Sequence, residues 1–216
     1  MSAVLDRPNE FLERAAGRLR LEAPGFLEPR SDLKGDHALN PASWGSLPSG
    51  QPRNAAVLVP IVAHEDGPSV LLTERASGLR NHSGQIAFPG GRMDPEDPSP
   101  IDTALREAEE EIGLPRRFVR PLGYLDAYLS SSNYFVLPVV ALVRPGAPIV
   151  PNPEEVADVF EVPLAFLMDE ANHELHARPW KGAIRQYYAM PFAQRYIWGV
   201  TAGILRNMYE RLYAND

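Results

Sequence analysis

Four glutamates fall within five positions of this chain, Glu107, Glu109, Glu110 and Glu111. Their surroundings scan as a helix. Ser99 can cap it, Pro100 suits its first position, and Asp102 places an acid in the first turn. Leu105, Ala108 and Ile112 form an apolar stripe, and Gly113 followed by Pro115 closes it. On such a helix Glu107, Glu110 and Glu111 stand at i, i+3 and i+4 and share one face. Like charges at that spacing cost roughly 0.2–0.5 kcal/mol per pair, and the last turns of a helix disfavour anions. Arg106 can reach Glu109 or Glu110 and offset part of this. One reading is a solvated acidic face. The other, favoured by the Gly90-Gly91 turn just upstream, is a cation site.

Clustered carboxylates without His or Cys suit a hard cation, Mg²⁺ or Mn²⁺. Such an ion keeps waters and takes up phosphate oxygens, which fits hydrolysis of a phosphoric anhydride. Glu107 and Glu111 are the principal candidate ligands and Glu110 the third. Arg106 either orients these carboxylates or makes a surface ion pair of little worth.

Several segments must position these groups. Residues 10–21 carry apolar positions at helical spacing, and 24–53 are rich in Pro, Gly, Ser and Asp, a connecting segment. Strands are predicted at 55–63, 70–73, 85–88, 124–128, 135–143 and 186–190, with a closing helix over 197–212. The Ser130, Ser131, Ser132 run is a polar hairpin loop or an anion contact. Tyr134, Phe135 and Trp198 read as core. Strands and helices without a βαβ rhythm predict a mixed β-sheet between helical layers.

Composition sets outer bounds. The 216 residues suit one domain with a substantial core, and zero cysteines exclude disulfides, thiolate metal sites and a cysteine nucleophile. A net charge of −7 argues against nonspecific nucleic-acid binding but permits a small anionic substrate in a locally basic cleft. No apolar run reaches membrane-spanning length and no signal-peptide pattern is present, so no membrane partner and a cytoplasmic location are expected. Monomer and homo-oligomer both stay open.

Residues 91–114 resemble the Nudix box, with Arg106, Glu107, Ala108, Glu110, Glu111, Gly113 and Leu114 matching its helical half. Asp97 stands where the family usually has Glu, and eight residues, not seven, separate it from Arg106. Upstream, Leu71-Leu72-Thr73-Glu74-Arg75-Ala76, Arg80, Gly84 and Phe88-Pro89-Gly90-Gly91 resemble the signature of the coenzyme A pyrophosphatase branch, which tends to carry that extra residue. Asn152-Pro153-Glu154-Glu155-Val156, Val162-Pro163-Leu164 and Ile197-Trp198-Gly199-Val200-Thr201-Ala202 fit as well.

The resemblance implies an α/β/α sandwich with a mixed sheet, residues 1–53 forming an N-terminal helix and connecting segment and 54–216 the Nudix domain. It implies divalent-metal-dependent cleavage of coenzyme A or its thioesters into 3′,5′-ADP and a 4′-phosphopantetheine. Alternatives are an ADP-ribose or dinucleoside polyphosphate hydrolase, and a nucleotide-sensing module that binds without cleaving. The backbone carbonyl of Gly90 would join the metal ligands, against the plain reading of a tight turn. The general base would lie on the box helix, at Glu110, or on a downstream loop. Glu155 behind the Asn152-Pro153 turn is the loop candidate, with Glu154 as substitute and a helix-start acid as the structural reading. Arg75, Arg80, His82 and Gln85 are candidate substrate contacts, since arginine suits bidentate phosphate binding. A structural hydrogen bond is the other reading of His82. Arg75 and Arg80 are the candidate readers of the ribose 3′-phosphate.

Overall fold

The computed structural model describes residues 8–24, 34–41, 51–78, 83–180 and 182–214. In chain order the elements are α1 (Pro8–Arg18), β1 (Lys34–Gly35), α2 (Asp36–Leu39), β2 (Arg53–Val62), β3 (Ser69–Arg75), β4 (Ile86–Ala87) and β5 (Gly90–Arg92). Next come α3 (Pro100–Ile112), β6 (Val119–Tyr124), β7 (Tyr128–Leu129), β8 (Tyr134–Val143), β9 (Val156–Pro163) and α4 (Leu164–Leu167). The last are β10 (Glu174–Trp180), β11 (Ala183–Phe192), β12 (Arg195–Trp198) and α5 (Val200–Leu212). Among the described residues the strands form two sheets. The larger runs β1-β7-β8-β2-β3-β4, with β5 on β2, β6 on β8 and β9 on β3, and the smaller is β10-β11-β12.

The larger sheet is mixed. β2 and β8 run parallel at its centre, from Arg53 opposite Tyr134 to Val62 opposite Val143. A central strand covered on both faces must be apolar on both, which is why 55–63 and 135–143 read as unbroken apolar runs. Alternation sends Ala55, Val59 and Ile61 into a core shared with Phe11, Ala15 and Leu19 of the α1 segment and with Ile204, Leu205 and Met208 of α5. Ala56, Leu58 and Val62 point the other way, onto Ala104, Leu105, Ala108 and Ile112 of α3. Helices thus cover both faces, the α/β/α layering expected from the sequence.

Local differences from the predicted elements have physical causes. The expected strand at 124–128 is split: Leu125 N–H still donates in register to Pro138 O at 3.0 Å, but Pro138 has no N–H to return the bond, and pairing resumes at Tyr128 opposite Val136. Ile197 belongs to β12 and not to the last helix, since Gly199 at φ 65° separates them. The first helix stops at Arg18 and leaves Leu21 exposed. Within the expected connecting segment, Lys34–Gly35 pairs parallel with β7.

The smaller sheet is fastened to the larger one by Arg195, which donates to Glu74 of β3 and Asp158 of β9. Thr201 Oγ1 of α5 donates to Ile86 O of β4 at 2.8 Å. These ties set β12 against β4, and α5 packs on both β11 and β12.

Candidate active site

Ser99 caps α3 as expected: its Oγ accepts from Asp102 N–H, and Gly113 closes the helix in the left-handed region at φ 63°. The helix packs across β5 and β2 and thereby sets Glu107 and Glu111 against the glycine turn. Gly90 pairs with Val57 and Gly91 with Ala56. Gly90 N–H donates to Glu111 Oε2 at 3.1 Å. A Cβ on Gly91 would lie 2.5 Å from the Glu107 carboxyl carbon, so the backbone there passes directly against the carboxylate.

Arg106 ties the cluster together. Its Nε and Nη2 donate to Asp97 Oδ1 and Oδ2 at 3.1 and 2.9 Å, and its Nη1 donates to Glu107 at 2.9 Å and Glu110 at 3.0 Å. Of the two partners expected for it on the helix it takes Glu110, while Glu109 lies 3.9 Å from Arg116. Asp97 also accepts from Thr103 Oγ1 at 2.8 Å and Asp94 N–H at 3.0 Å. The guanidinium of Arg106 holds the Asp97 carboxyl far below the usual carboxylate range. Asp97, where the family usually has Glu, therefore anchors Arg106 and the loop before the helix.

The carboxylates of Glu111 and Glu107 behave oppositely to that of Asp97. Glu111, 3% exposed, is pushed up to about 7 by burial, which outweighs the Gly90 N–H and Arg75 and is reinforced by Glu107 and Glu155. Burial also raises Glu107, against the pull of Arg106. Both line a cavity of about 940 Å³, together with Glu155, Gly90, Gly91, Arg75 and Gln85. Arg75 Nη1 lies 3.8 Å from Glu111 Oε1, and its Nε is buried with no hydrogen-bond partner among the described residues.

Glu155 reaches the cavity from the Asn152-Pro153 turn. Its N–H donates to Asn152 O at 3.0 Å, its carbonyl accepts from Ala76 N–H at 2.9 Å, and Asn152 Nδ2 approaches its carboxylate at 3.4 Å. The chain then enters β9, so Glu155 is not a helix-start acid, and Glu154 is exposed with its N–H on Asn152 Oδ1 at 3.1 Å. Glu110 stands apart from its two helix neighbours. Its carboxylate is 56% exposed, is drawn to Arg106, and is not among the groups lining the cavity. No three Asp, Glu, His or Cys side chains among the described residues are gathered closely enough to hold a metal as they stand. Arg80 and His82 lie outside the described residues.

Other lining residues escaped the sequence reading. Asp36, Arg53, Arg178, Arg185 and Tyr187 line the cavity, beside Ser130, Ser131 and Ser132, the run already offered by the sequence as a polar hairpin loop or an anion contact. Tyr134 and Trp198, expected in the core, line it too, whereas Phe135 is buried in the core. Arg178 and Arg185 come together only through strand pairing, and no short-range spacing marks them. Among the described residues no helix is long and apolar enough to cross a membrane.

Comparison with known proteins agrees with the box. A model of the NUDIX domain matches residues 52–184. A Yersinia pestis (strain Pestoides F) protein described as "Uncharacterized Nudix hydrolase NudL" is 38% identical over 203 residues, covering 94% of this chain and 96% of the relative. The NudL protein of Yersinia pseudotuberculosis serotype O:3 (strain YPIII) gives the same figures, 38% over 203 residues with 94% and 96% covered. Among solved structures, the NUDIX domain of Shewanella oneidensis NrtR complexed with ADP ribose is 19% identical with a TM-score of 0.48, covering 76% of this chain and 89% of that one. A family match over more than half of the chain, with relatives aligned along nearly all of it, establishes that the chain belongs to the Nudix hydrolase family.

Proposed function

We propose that this Nudix hydrolase cleaves the diphosphate bond of coenzyme A or its thioesters, giving 3′,5′-ADP and a 4′-phosphopantetheine. The observation that carries a diphosphate substrate is the cavity itself. Glu107, Glu111 and Glu155 share it with the half-buried guanidinium of Arg75, whose Nε has no hydrogen-bond partner among the described residues. The coenzyme A assignment rests on the upstream motif from Leu71 to Gly91.

The donor set suits a hard divalent cation: oxygen ligands only, with the buried Glu111 and the half-buried Glu107 both raised by burial and by neighbouring acids. Glu107 and Glu111 would hold Mg²⁺ or Mn²⁺ with the Gly90 carbonyl, and Glu110 is the further candidate on the same helix. When bound, such an ion neutralises the diphosphate and acidifies water.

The remaining chemistry belongs to the chain. Arg106, clamped by Asp97, fixes the Glu107 carboxylate against the glycine turn. Arg75 takes a substrate phosphate oxygen at the cavity wall, with Gln85 also lining it, and Arg80 and His82 are the further candidates for substrate contact. Glu155 takes a proton from the attacking water as its oxygen bonds to phosphorus and the bridging P–O bond breaks.

A panel of coenzyme A, an acyl-coenzyme A, ADP-ribose and dinucleoside polyphosphates, assayed with Mg²⁺ or Mn²⁺ and product identification, tests this. Coenzyme A should give 3′,5′-ADP with kcat/KM at least about tenfold above that for ADP-ribose. A preference for ADP-ribose or a dinucleoside polyphosphate would replace the substrate, and turnover of none would leave a binding module.

A further inference from the structure

The smaller sheet turns one face to the cavity, and that face breaks a rule of sheet stability. Arg178 of β10 lies directly opposite Arg185 of β11. Directly paired residues share a face, and like charges in that position destabilise a sheet. Tyr187 stands two residues beyond Arg185 and so shares its face, as does Trp198 of β12, paired with Ala189. All four line the cavity, next to Ser130, Ser131 and Ser132.

Both arginines are held in place. The Arg178 guanidinium stacks 4.5 Å from the Trp198 ring centre and 5.6 Å from that of Tyr187. Arg185 donates to Asp36 Oδ2. Asp36 is 7% exposed and also accepts from Tyr128 OH at 2.8 Å and Ser131 N–H at 3.0 Å. The same carboxylate therefore fixes Arg185 and the serine loop. A guanidinium stacked on a ring keeps its in-plane N–H groups directed outward, the geometry that takes a tetrahedral oxyanion through two hydrogen bonds.

We propose that Arg178 and Arg185, with the serine loop, form a second anion subsite for a phosphate monoester of the substrate, separate from the diphosphate that is cleaved. Tyr187 and Trp198 supply an aromatic wall for the nucleoside that bears it. An incoming dianion removes the repulsion between the paired arginines. This rests on the proposed reading of the cavity as a nucleotide diphosphate site. It moves recognition of the ribose phosphate from Arg75 and Arg80 to the smaller sheet.

The test is calorimetric binding of 3′,5′-ADP and 5′-AMP, which differ by one phosphate monoester, to the parent protein and to Arg178→Gln. The parent should bind 3′,5′-ADP at least about tenfold more tightly than 5′-AMP, and Arg178→Gln should erase most of that ratio. Arg185→Lys, which keeps a cation on Asp36 while losing the planar fork, provides a second variant and should shrink the same ratio. Equal affinity of the parent for the two nucleotides, or variants that weaken both equally, would overturn the subsite. The binding comparison needs no turnover, so failure of hydrolysis and failure of the subsite are read separately.

Discussion

A carboxylate that burial keeps protonated near neutral pH is a poor constituent of a stable helix and a good one of a cation site. Glu111 is that residue. Folded, it holds its proton up to about 7, whereas its ordinary value is 4.5. Between these values the folded state binds more protons than the unfolded state, so stability falls as pH rises through that window. At higher pH the deficit is complete, of order 3 kcal/mol. Glu111→Gln keeps an acceptor for Gly90 N–H and removes the charge. With a chelator present, urea unfolding of the parent should show a loss of stability between about pH 5 and pH 8. The variant should show a shallower loss, with the contribution of raised Glu107 remaining, and should exceed the parent at pH 8. Its turnover should fall by orders of magnitude at saturating Mg²⁺. A variant with the parent's pH slope, or with near-parent turnover, would remove Glu111 from the centre of the site.

Among elements, the glycine turn and α3 work as one unit, and the two glycines have different duties. A Cβ on Gly90 would stand 2.5 Å from Ala56 O and 2.6 Å from Val57 Cα, both backbone atoms of β2. The three atoms nearest a Cβ on Gly91 all belong to the end of the Glu107 side chain. Gly90→Ala is therefore expected to lower the urea midpoint markedly, with a loss of about 2 kcal/mol or more in unfolding free energy. Gly91→Ala should cost well under half of that while cutting kcat, because Glu107 must leave its place. Equal losses of stability would show that the backbone at Gly91 is as constrained as at Gly90. The capped helix, its acidic face and the glycine turn were legible in the sequence because each depends on neighbours a few residues apart. So were the two central strands, whose double-faced burial writes itself as an apolar run. β9 was not, since Val156-Ala157-Asp158-Val159-Phe160-Glu161 lacks a clean two-residue alternation; Glu174-Leu175-His176-Ala177-Arg178-Pro179 of β10 does alternate, but Glu, Ala and Pro are depleted in strands and mask it. The pairing of Arg106 with Glu110 was open to reading as an i,i+4 contact, but the facing of Arg178 by Arg185 depends on strand pairing, which spacing along the chain does not carry.

At the scale of the whole molecule, the family match begins at residue 52, yet segments before it are built into the same core. Phe11, Ala15 and Leu19 are 0%, 1% and 3% exposed. Arg20 O accepts from Tyr124 N–H at 2.9 Å, and Lys34 pairs with Glu210 of α5 at 2.7 Å. Asn40 completes β11 by side-chain hydrogen bonds, its Oδ1 accepting from Gln186 N–H at 2.6 Å and its Nδ2 donating to Gln186 O at 3.0 Å. Burying the Phe11 and Leu19 side chains alone is worth roughly 1.5–3 kcal/mol each. A domain's whole stability is about 5–15 kcal/mol, so this segment supplies a large fraction. The boundary near residue 53 is therefore expected to mark where the family pattern starts and not where an independent folding unit starts. A chain beginning at residue 52 should lose its cooperative thermal transition and its turnover. Phe11→Ala in the full chain should cost about 3–5 kcal/mol without touching the cavity, so kcat on the folded fraction should hold. A shortened chain that melts cooperatively and turns over substrate at the parent rate would make residues 1–53 a true appendage. The Asp36 contact to Arg185 would then be dispensable, and with it the support proposed for the second anion subsite.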